Sequence, residues 1–546
     1  MDIKVNFVDF YNKKIYPALI NFDEKINFIK KIDEKCYNYI IPGLIESHIH
    51  IESSMLTPSR FAYAAITHGT TALVADPHEI ANVLGIKGIN YMREDATKTP
   101  LKIFFTAPSC VPATKYETSG ATIDSEKISL LLQEKDIVAL GEMMNFYGVI
   151  HKDPEVLKKI KYAQLYKKPI DGHCPRLKGE KLKKYIEAGI TTDHECTTLN
   201  EAEEKLENGM KIMIKQGSYA KNIQNIYTLA NKKPEKCFLV SDDLETDDLL
   251  KGHMNLKLKE ITNLGINPFD AIKMATLNPA KHYKLNVGLL KTGDPADFII
   301  IDNLKDFNVL ETYINGKLVA KNKKPLFELP ETRIMNYFNI QPKNINDFKI
   351  NTNNKEGTIK VNVIGIVENQ IITKKLTETL RIENHEILPN LEKDIIRIVV
   401  AERYGHNNLA LGFIKGFKLK EGAVASSVAH DSHNIISIGV NKKDITRAIN
   451  TVIEMQGGLT IVRNDQVLIR LPLPIAGLMS DKPAQQVEKK LTRFYLILKA
   501  LGCTLNSPLM ILSFMSLPVV PEIKITDKGL FDVEKFNFIN LTQEEE

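Results

Sequence analysis

PGLIESHIH, residues 42–50, decides the fold. The run opens on Pro-Gly, is rich in β-branched and apolar residues, and ends in His48 and His50. It reads as a short strand carrying two imidazoles on one face, because residues i and i+2 of a strand point the same way. Working outward, similar apolar runs recur at 70–75, 102–108, 137–142, 169–173, 191–194, 211–214 and 237–241. Amphipathic stretches of helical period separate them, at 58–68, 79–95, 125–135, 154–166, 178–188, 200–208, 219–231 and 247–264. Eight βα units in succession predict an α/β protein with a closed, TIM-like (β/α)8 barrel over residues 42–284.

Short strand patterns flank the barrel on both sides, over 1–41 and 285–325, and bracketing segments of this kind are expected to form one small β-sandwich domain built from both flanks. A helix over 268–282 leads into the second flank. Pro and Asn accumulate over 325–356, the expected linker. Residues 357–546 then mix strand patterns (358–367, 395–400, 459–463, 467–471) with helical ones (443–456, 483–500), which predicts a C-terminal α+β domain with an acidic, frayed end at 543–546.

The composition sets limits on function. The 546 residues are 43% hydrophobic and 25% charged, values of a globular protein rather than of a disordered or fibrous one. Lys and Arg number 72 against 67 Asp and Glu, and no basic stripe with interleaved aromatics appears, so a nucleic-acid partner is not expected. The N-terminus MDIKVNFVDFYNKK lacks the apolar centre of a signal peptide, and the longest apolar candidate, 508–520, is broken by Ser and Pro, so no membrane association is expected. Six cysteines (Cys36, Cys110, Cys174, Cys196, Cys237, Cys503) are scattered without a CxxC pair, which points to a reducing, cytoplasmic setting.

Chemistry concentrates at the strand ends. After His48 and His50 come Glu142, His173, His194 and Asp242, each closing a different strand candidate. Active sites of such barrels assemble at that rim. Mixed imidazole and carboxylate ligands suit Zn, Fe, Mn or Co, and six ligands exceed the need of one tetrahedral ion. A carboxylate such as Glu142 can bridge two ions that together lower the pKa of a shared water, which predicts hydrolytic attack on carbon or phosphorus with a carboxylate for proton transfer.

These residues carry a resemblance. PGLIESHIHIES (42–53), with the later Glu, His, His and Asp in barrel order, resembles the amidohydrolase superfamily, and within it the bacterial-type adenine deaminase family. The segments that carry the closer likeness are ADPHEIANVLG (75–85), APSCVPAT (107–114), GEMMNFYGVI (141–150), DGHCP (171–175), AGITTDHE (188–195), SDD (241–243), VAHDSHNIISIGVN (428–441) and LPLPIAGLMS (471–480), so the likeness spans nearly the whole chain. It implies two divalent ions, Mn or Fe first and Zn compatible, with His48 and His50 at one site, His173 and His194 at the other and Glu142 bridging. Asp242 would touch a metal and accept the proton of the attacking water. The implied reaction is attack of a metal-activated hydroxide on C6 of adenine, giving hypoxanthine and ammonia, a step of purine salvage in a homo-oligomeric enzyme. Two positions depart from the family pattern: Arg176 stands where glycine follows DGHxP, and Leu244 where Arg commonly follows SDD. Both bear on purine affinity or on the choice between purines.

Two rivals follow from the same residues: a cyclic-amide hydrolase of the dihydroorotase or hydantoinase kind, and a barrel that has lost turnover. Glu142 as bridge and the C-terminal domain argue against the first, and the full ligand set against the second. His78 and Glu79, in DPHEIAN, read either as the start of a helix capped by Asp76 or as contacts to the purine, and they are carried as substrate-binding candidates. Glu52, Ser53 and Ser54 are expected to hydrogen-bond the metal-binding histidines. His430, Asp431, His433 and Asn434 read as a polar turn packing its histidines on the barrel rim or a subunit contact, with a metal as the sharper alternative. Gly457–Gly458 is a turn rather than a phosphate loop, and Ser109 beside Cys110 has no evident base. His68, His151, His253, His282, His385 and His406 read as ordinary core or surface histidines.

Overall fold

The computed structural model describes residues 1–368 and 370–543, so the acidic end expected at 543–546 lies outside the described residues except for Gln543. The chain divides into two compact units, one of Met1–Pro77, Asn90–Cys110 and Ile123–Thr332, the other of His78–Ile89, Val111–Thr122 and Arg333–Glu546.

In the first unit eight parallel strands succeed one another in chain order: β1 (Leu44–His50), β2 (Thr70–Ala75), β3 (Lys102–Ala107), β4 (Ile137–Met143), β5 (Ile170–Gly172), β6 (Thr192–Asp193), β7 (Lys211–Lys215) and β8 (Cys237–Val240). β1 to β5 form one ladder and β6 to β8 another. The ladders meet where Thr191 N donates to Ile170 O at 2.9 Å. The ring closes where Asp242 and Asp243, just past β8, pair with Ile49 and His50. β1, β2 and β4 bury every residue, as expected of strands covered on both faces. Gly172 marks a tight approach, since a Cβ there would stand 2.3 Å from Thr192 O.

The run at 42–50 is not one strand. Tyr39–Pro42 belongs to a different sheet, and the barrel strand begins after Gly43. That second sheet has eight strands, and the two sequence flanks share it: Lys324–Pro325, Lys317–Lys321, Val309–Ile314 and Phe298–Ile301 from one, then Tyr39–Pro42, Asp2–Asp9, Lys14–Phe22 and Ile26–Lys31 from the other. Phe298 packs edge-on to Phe22 (4.9 Å) and stacks on Tyr313 (4.6 Å), tying the flanks together. The helix expected over 79–95 breaks at Gly85 into His78–Leu84 and Ile86–Ala96, and that over 247–264 breaks at Gly252 into Thr246–Lys251 and Met254–Asn263.

The second unit centres on a nine-stranded sheet, antiparallel except where Glu356–Ile366 meets Leu409–Lys415. The helix Lys442–Glu454 lays Ile445, Ala448, Ile449 and Val452 on it, the i, i+3, i+4, i+7 stripe of an amphipathic helix. No helix among the described residues is long and apolar enough to cross a membrane.

Candidate metal centre

The C-terminal ends of the barrel strands gather all six expected ligands. β1 supplies His48 and His50 and β4 supplies Glu142, while His173, His194 and Asp242 stand just beyond β5, β6 and β8. None is more than 5% exposed. Glu142 lies between two groups of nitrogens: its Oε1 is 3.2 Å from His50 Nε2, and its Oε2 is 2.7 Å from His173 Nδ1 and 3.2 Å from His194 Nε2. Asp242 Oδ1 is 3.1 Å from His50 Nε2 and 3.3 Å from His48 Nε2. One carboxylate oxygen thus faces each group, the arrangement a bridge between two cations requires.

Local structure explains how each side chain is held. Asp76, just past β2, accepts from Glu142 N at 3.0 Å through Oδ2, while its backbone carbonyl accepts from His50 Nδ1 at 3.1 Å. That contact makes His50 Nδ1 the donor and leaves the Nε2 lone pair facing the carboxylates. Gly141 is required beside it, because a Cβ would stand 2.3 Å from Asp76 Oδ2. Glu46, fully buried in β1, accepts from Ser241 N at 3.0 Å and from Ser241 Oγ at 2.5 Å, which fixes the residue before Asp242. His253 joins this network through Glu46 (3.3 Å) and Thr70 Oγ1 (2.7 Å). Asp242 itself has φ +64, a left-handed conformation that Asp tolerates better than most residues.

The electrostatics suit a cation. Burial would raise the Glu142 pKa, but His173 first, then His194 and His50, hold it well below the usual carboxylate range. Asp242 is likewise lowered against its burial by Lys215, His194, His48 and His50. Burial lowers the pKa of His173 and His194, yet the neighbouring carboxylates, Glu142 for the first and Asp242 with Glu142 for the second, raise both above the ordinary value. His173 Nδ1 and His194 Nε2 also approach each other to 3.2 Å beside the same carboxylate oxygen. A divalent ion supplies the positive charge these protons would bring and replaces them on binding. Buried donors of this kind suit a divalent metal: His48, His50 and Asp242 lie close enough together to hold an ion, and so do His173, His194 and Glu195.

Sequence reasoning missed Lys215 and Glu195. Lys215, at the end of β7, donates from Nζ to Asp242 Oδ2 at 2.8 Å and to Glu195 Oε1 at 2.5 Å, and all three side chains are buried. A lysine ending a strand reads as a solvated charge unless its partners are known. Ser53 and Ser54, expected on the histidines, turn elsewhere: Ser53 Oγ donates to Asp243 Oδ1 at 2.5 Å and Ser54 Oγ to the Ile51 carbonyl at 2.6 Å. Ser109 donates to the Glu142 carbonyl at 2.5 Å, and burial pushes the Cys110 thiol up, the opposite of an activated nucleophile. Arg176 is exposed with φ +60, a conformation in which glycine is the easier occupant.

His78 and Glu79 belong to the second unit and gather there with His430, Asp431 and His433. The Glu79 carboxylate accepts from His430 Nδ1 through one oxygen and from His433 Nε2 through the other. His78 Nε2 lies 3.3 Å from Glu79 Oε1 and 3.7 Å from Asp431 Oδ1. The polar turn expected at 430–434 is therefore organised around a carboxylate about 350 positions earlier in the chain.

Comparison with known proteins agrees with this geometry. Residues 39–319 match the amidohydrolase family, and residues 370–537 match the adenine deaminase C-terminal domain. Curated relatives cover the whole length. An adenine deaminase of Methanosphaera stadtmanae is 47% identical over 548 residues, spanning 100% of both chains. One of Sulfurovum sp. is 44% identical, covering 99% of each, and one of Borreliella burgdorferi is 45% identical, covering 98% of this chain and 99% of that protein. The chain belongs to the adenine deaminase family of the amidohydrolases.

Proposed function

We propose that this chain hydrolyses adenine to hypoxanthine and ammonia with a pair of divalent cations held at the end of its barrel. The observation that carries the reading is Glu142 placing one oxygen toward each of two histidine groups, in a chain similar over its full length to adenine deaminases. Bound cations would supply Lewis acidity and a water ionised near neutral pH. The protein supplies the proton traffic. Asp242, held as an anion, takes the proton of the water whose oxygen adds to purine C6, and delivers it to the exocyclic nitrogen as the C6–N bond breaks, so that ammonia leaves. His78 and Glu79 are carried as substrate-binding candidates, since an imidazole can donate to a ring nitrogen and a carboxylate can accept from an N–H.

The family resemblance implies Mn or Fe, and the ligand set is equally compatible with Zn. The six free thiols support a reducing, cytoplasmic setting, and the family resemblance supports purine salvage and a homo-oligomer. The test is ammonia release from adenine, beside adenosine, cytosine and dihydroorotate, by protein loaded with Mn²⁺ or Fe²⁺. Turnover of adenine alone is expected. Turnover of dihydroorotate in its place, or of no substrate by a fully metallated protein, would overturn the reading.

A further inference from the structure

Three carboxylates face the barrel histidines, but only two are needed as ligands. Glu195 Oε1 lies 3.4 Å from His194 Nε2 and 3.9 Å from His173 Nδ1, close enough for these groups to hold one ion between them. In Glu195 the oxygen that faces the histidines, Oε1, is itself ion-paired with Lys215 at 2.5 Å. The same ammonium holds Asp242 Oδ2 at 2.8 Å, leaving Oδ1 toward His48 and His50. The lysine is anchored in turn: Lys215 N donates to Asn222 Oδ1 at 2.7 Å, and Asn222 Nδ2 reaches the carbonyls of His194 (3.2 Å) and Cys196 (3.0 Å). One side chain thus ties the ends of β6 and β7 together and fixes where the ammonium sits.

We propose that Lys215 is the positioning residue of the metal centre: it keeps Glu195 out of the ligand set of the second cation and turns Asp242 so that one oxygen serves the metal and the other stays on the ammonium. The proposal rests on the two-cation reading, yet its consequences for metal binding do not depend on which substrate is turned over. A buried ammonium between two carboxylates sets both the charge of the site and the rotamer of each acid, as outer-shell partners of metal ligands do. Without the ammonium, Glu195 is free to join His173, His194 and Glu142 as a fourth ligand of the second cation. Asp242 would also lose the contact that fixes its second oxygen, and a misplacement of about 1 Å costs about 10²-fold in rate.

The experiment is equilibrium dialysis of metal-free protein against Mn²⁺ alone, with metal analysis, for wild type, Glu195→Gln, Lys215→Met, Lys215→Arg and the Lys215→Met/Glu195→Gln double variant. Glu195→Gln is expected still to bind two Mn²⁺, since its carboxylate is not a ligand. Loss of the second ion in that variant would overturn the proposal. Lys215→Met is expected to bind the second Mn²⁺ more tightly than wild type, because a further anionic ligand reaches it, with the gain abolished in the double variant, and to lose kcat on adenine with a smaller change in KM. Lys215→Arg, which keeps the charge, should recover most of both properties. A wild-type isotherm for Lys215→Met would contradict the proposal, and if that variant fails to fold, Glu195→Gln and Lys215→Arg decide the matter through their Mn²⁺ isotherms.

Discussion

Replacing Glu142 by Gln keeps the shape of the side chain and removes the charge that both histidine groups share. In the native site each oxygen has its own partners, His50 Nε2 at 3.2 Å on one side and His173 Nδ1 at 2.7 Å with His194 Nε2 at 3.2 Å on the other. An amide offers one acceptor, and its NH2 then points at nitrogens that must keep their lone pairs for a cation. Glu142 is only 3% exposed, so water does not make good the loss. Breaking a buried, hydrogen-bonded ionic set by removing one partner costs about 3–5 kcal/mol. At about 1.4 kcal/mol per factor of ten, that is roughly two to three and a half powers of ten in affinity for the second ion. The assay is metal content per chain after dialysis at fixed free Mn²⁺, read beside ammonia release from adenine. One retained ion and a loss of most turnover are expected. Two ions held at wild-type affinity with normal turnover would refute the bridging role.

Other consequences are equally direct. Asp242→Asn should fold while kcat falls by about 10²–10⁴, the usual worth of a general base, and wild-type rates would place the proton transfer on another group. Lys205, fully buried between Asp193 (2.9 Å) and Glu201 (2.9 Å), flanks both second-site histidines through Asp193, so Lys205→Met should cost about 3–5 kcal/mol of barrel stability in denaturant unfolding, and an unchanged midpoint would show the pair to be dispensable. Lys524 is buried with only the carbonyls of Ile371 and Phe514 as partners, and burial lowers its pKa to about 7. Its folded form therefore binds fewer protons than the unfolded chain between that value and the ordinary lysine pKa, so stability rises with pH across this window. Relative to Lys524→Met, the wild type should gain up to about 1.4 kcal/mol per pH unit from pH 7 to about 10. Parallel stability curves for the two proteins would contradict the assignment.

The barrel was legible because several of its strands are fully buried: 72–75 (ALVA) and 137–141 (IVALG) are short apolar runs, and the structure places strands at Thr70–Ala75 and Ile137–Met143. The ligands were legible for a related reason. Histidines and acids closing such runs have few structural uses in common, and the i, i+2 spacing of His48 and His50 sets both on one face. Other features depend on distance in space and leave no local trace. Gly43 separates two sheets, yet a proline-glycine step before a strand reads the same whether or not the sheet changes. Asp76 reads as a helix cap, while in the structure its carboxylate holds the Glu142 backbone. Lys215 and Glu195 look like surface charges until the ring closes around them. His430 and His433 meet Glu79 only through pairing across hundreds of residues, which no periodicity encodes.

The most direct test of the account is titration of metal-free protein with Mn²⁺ while ammonia release from adenine is followed. Activity should rise with added metal and break at two ions per chain, because both histidine groups and the carboxylate between them must be filled. Full activity at one ion per chain, or activity that ignores added and chelated metal alike, would contradict the two-cation centre.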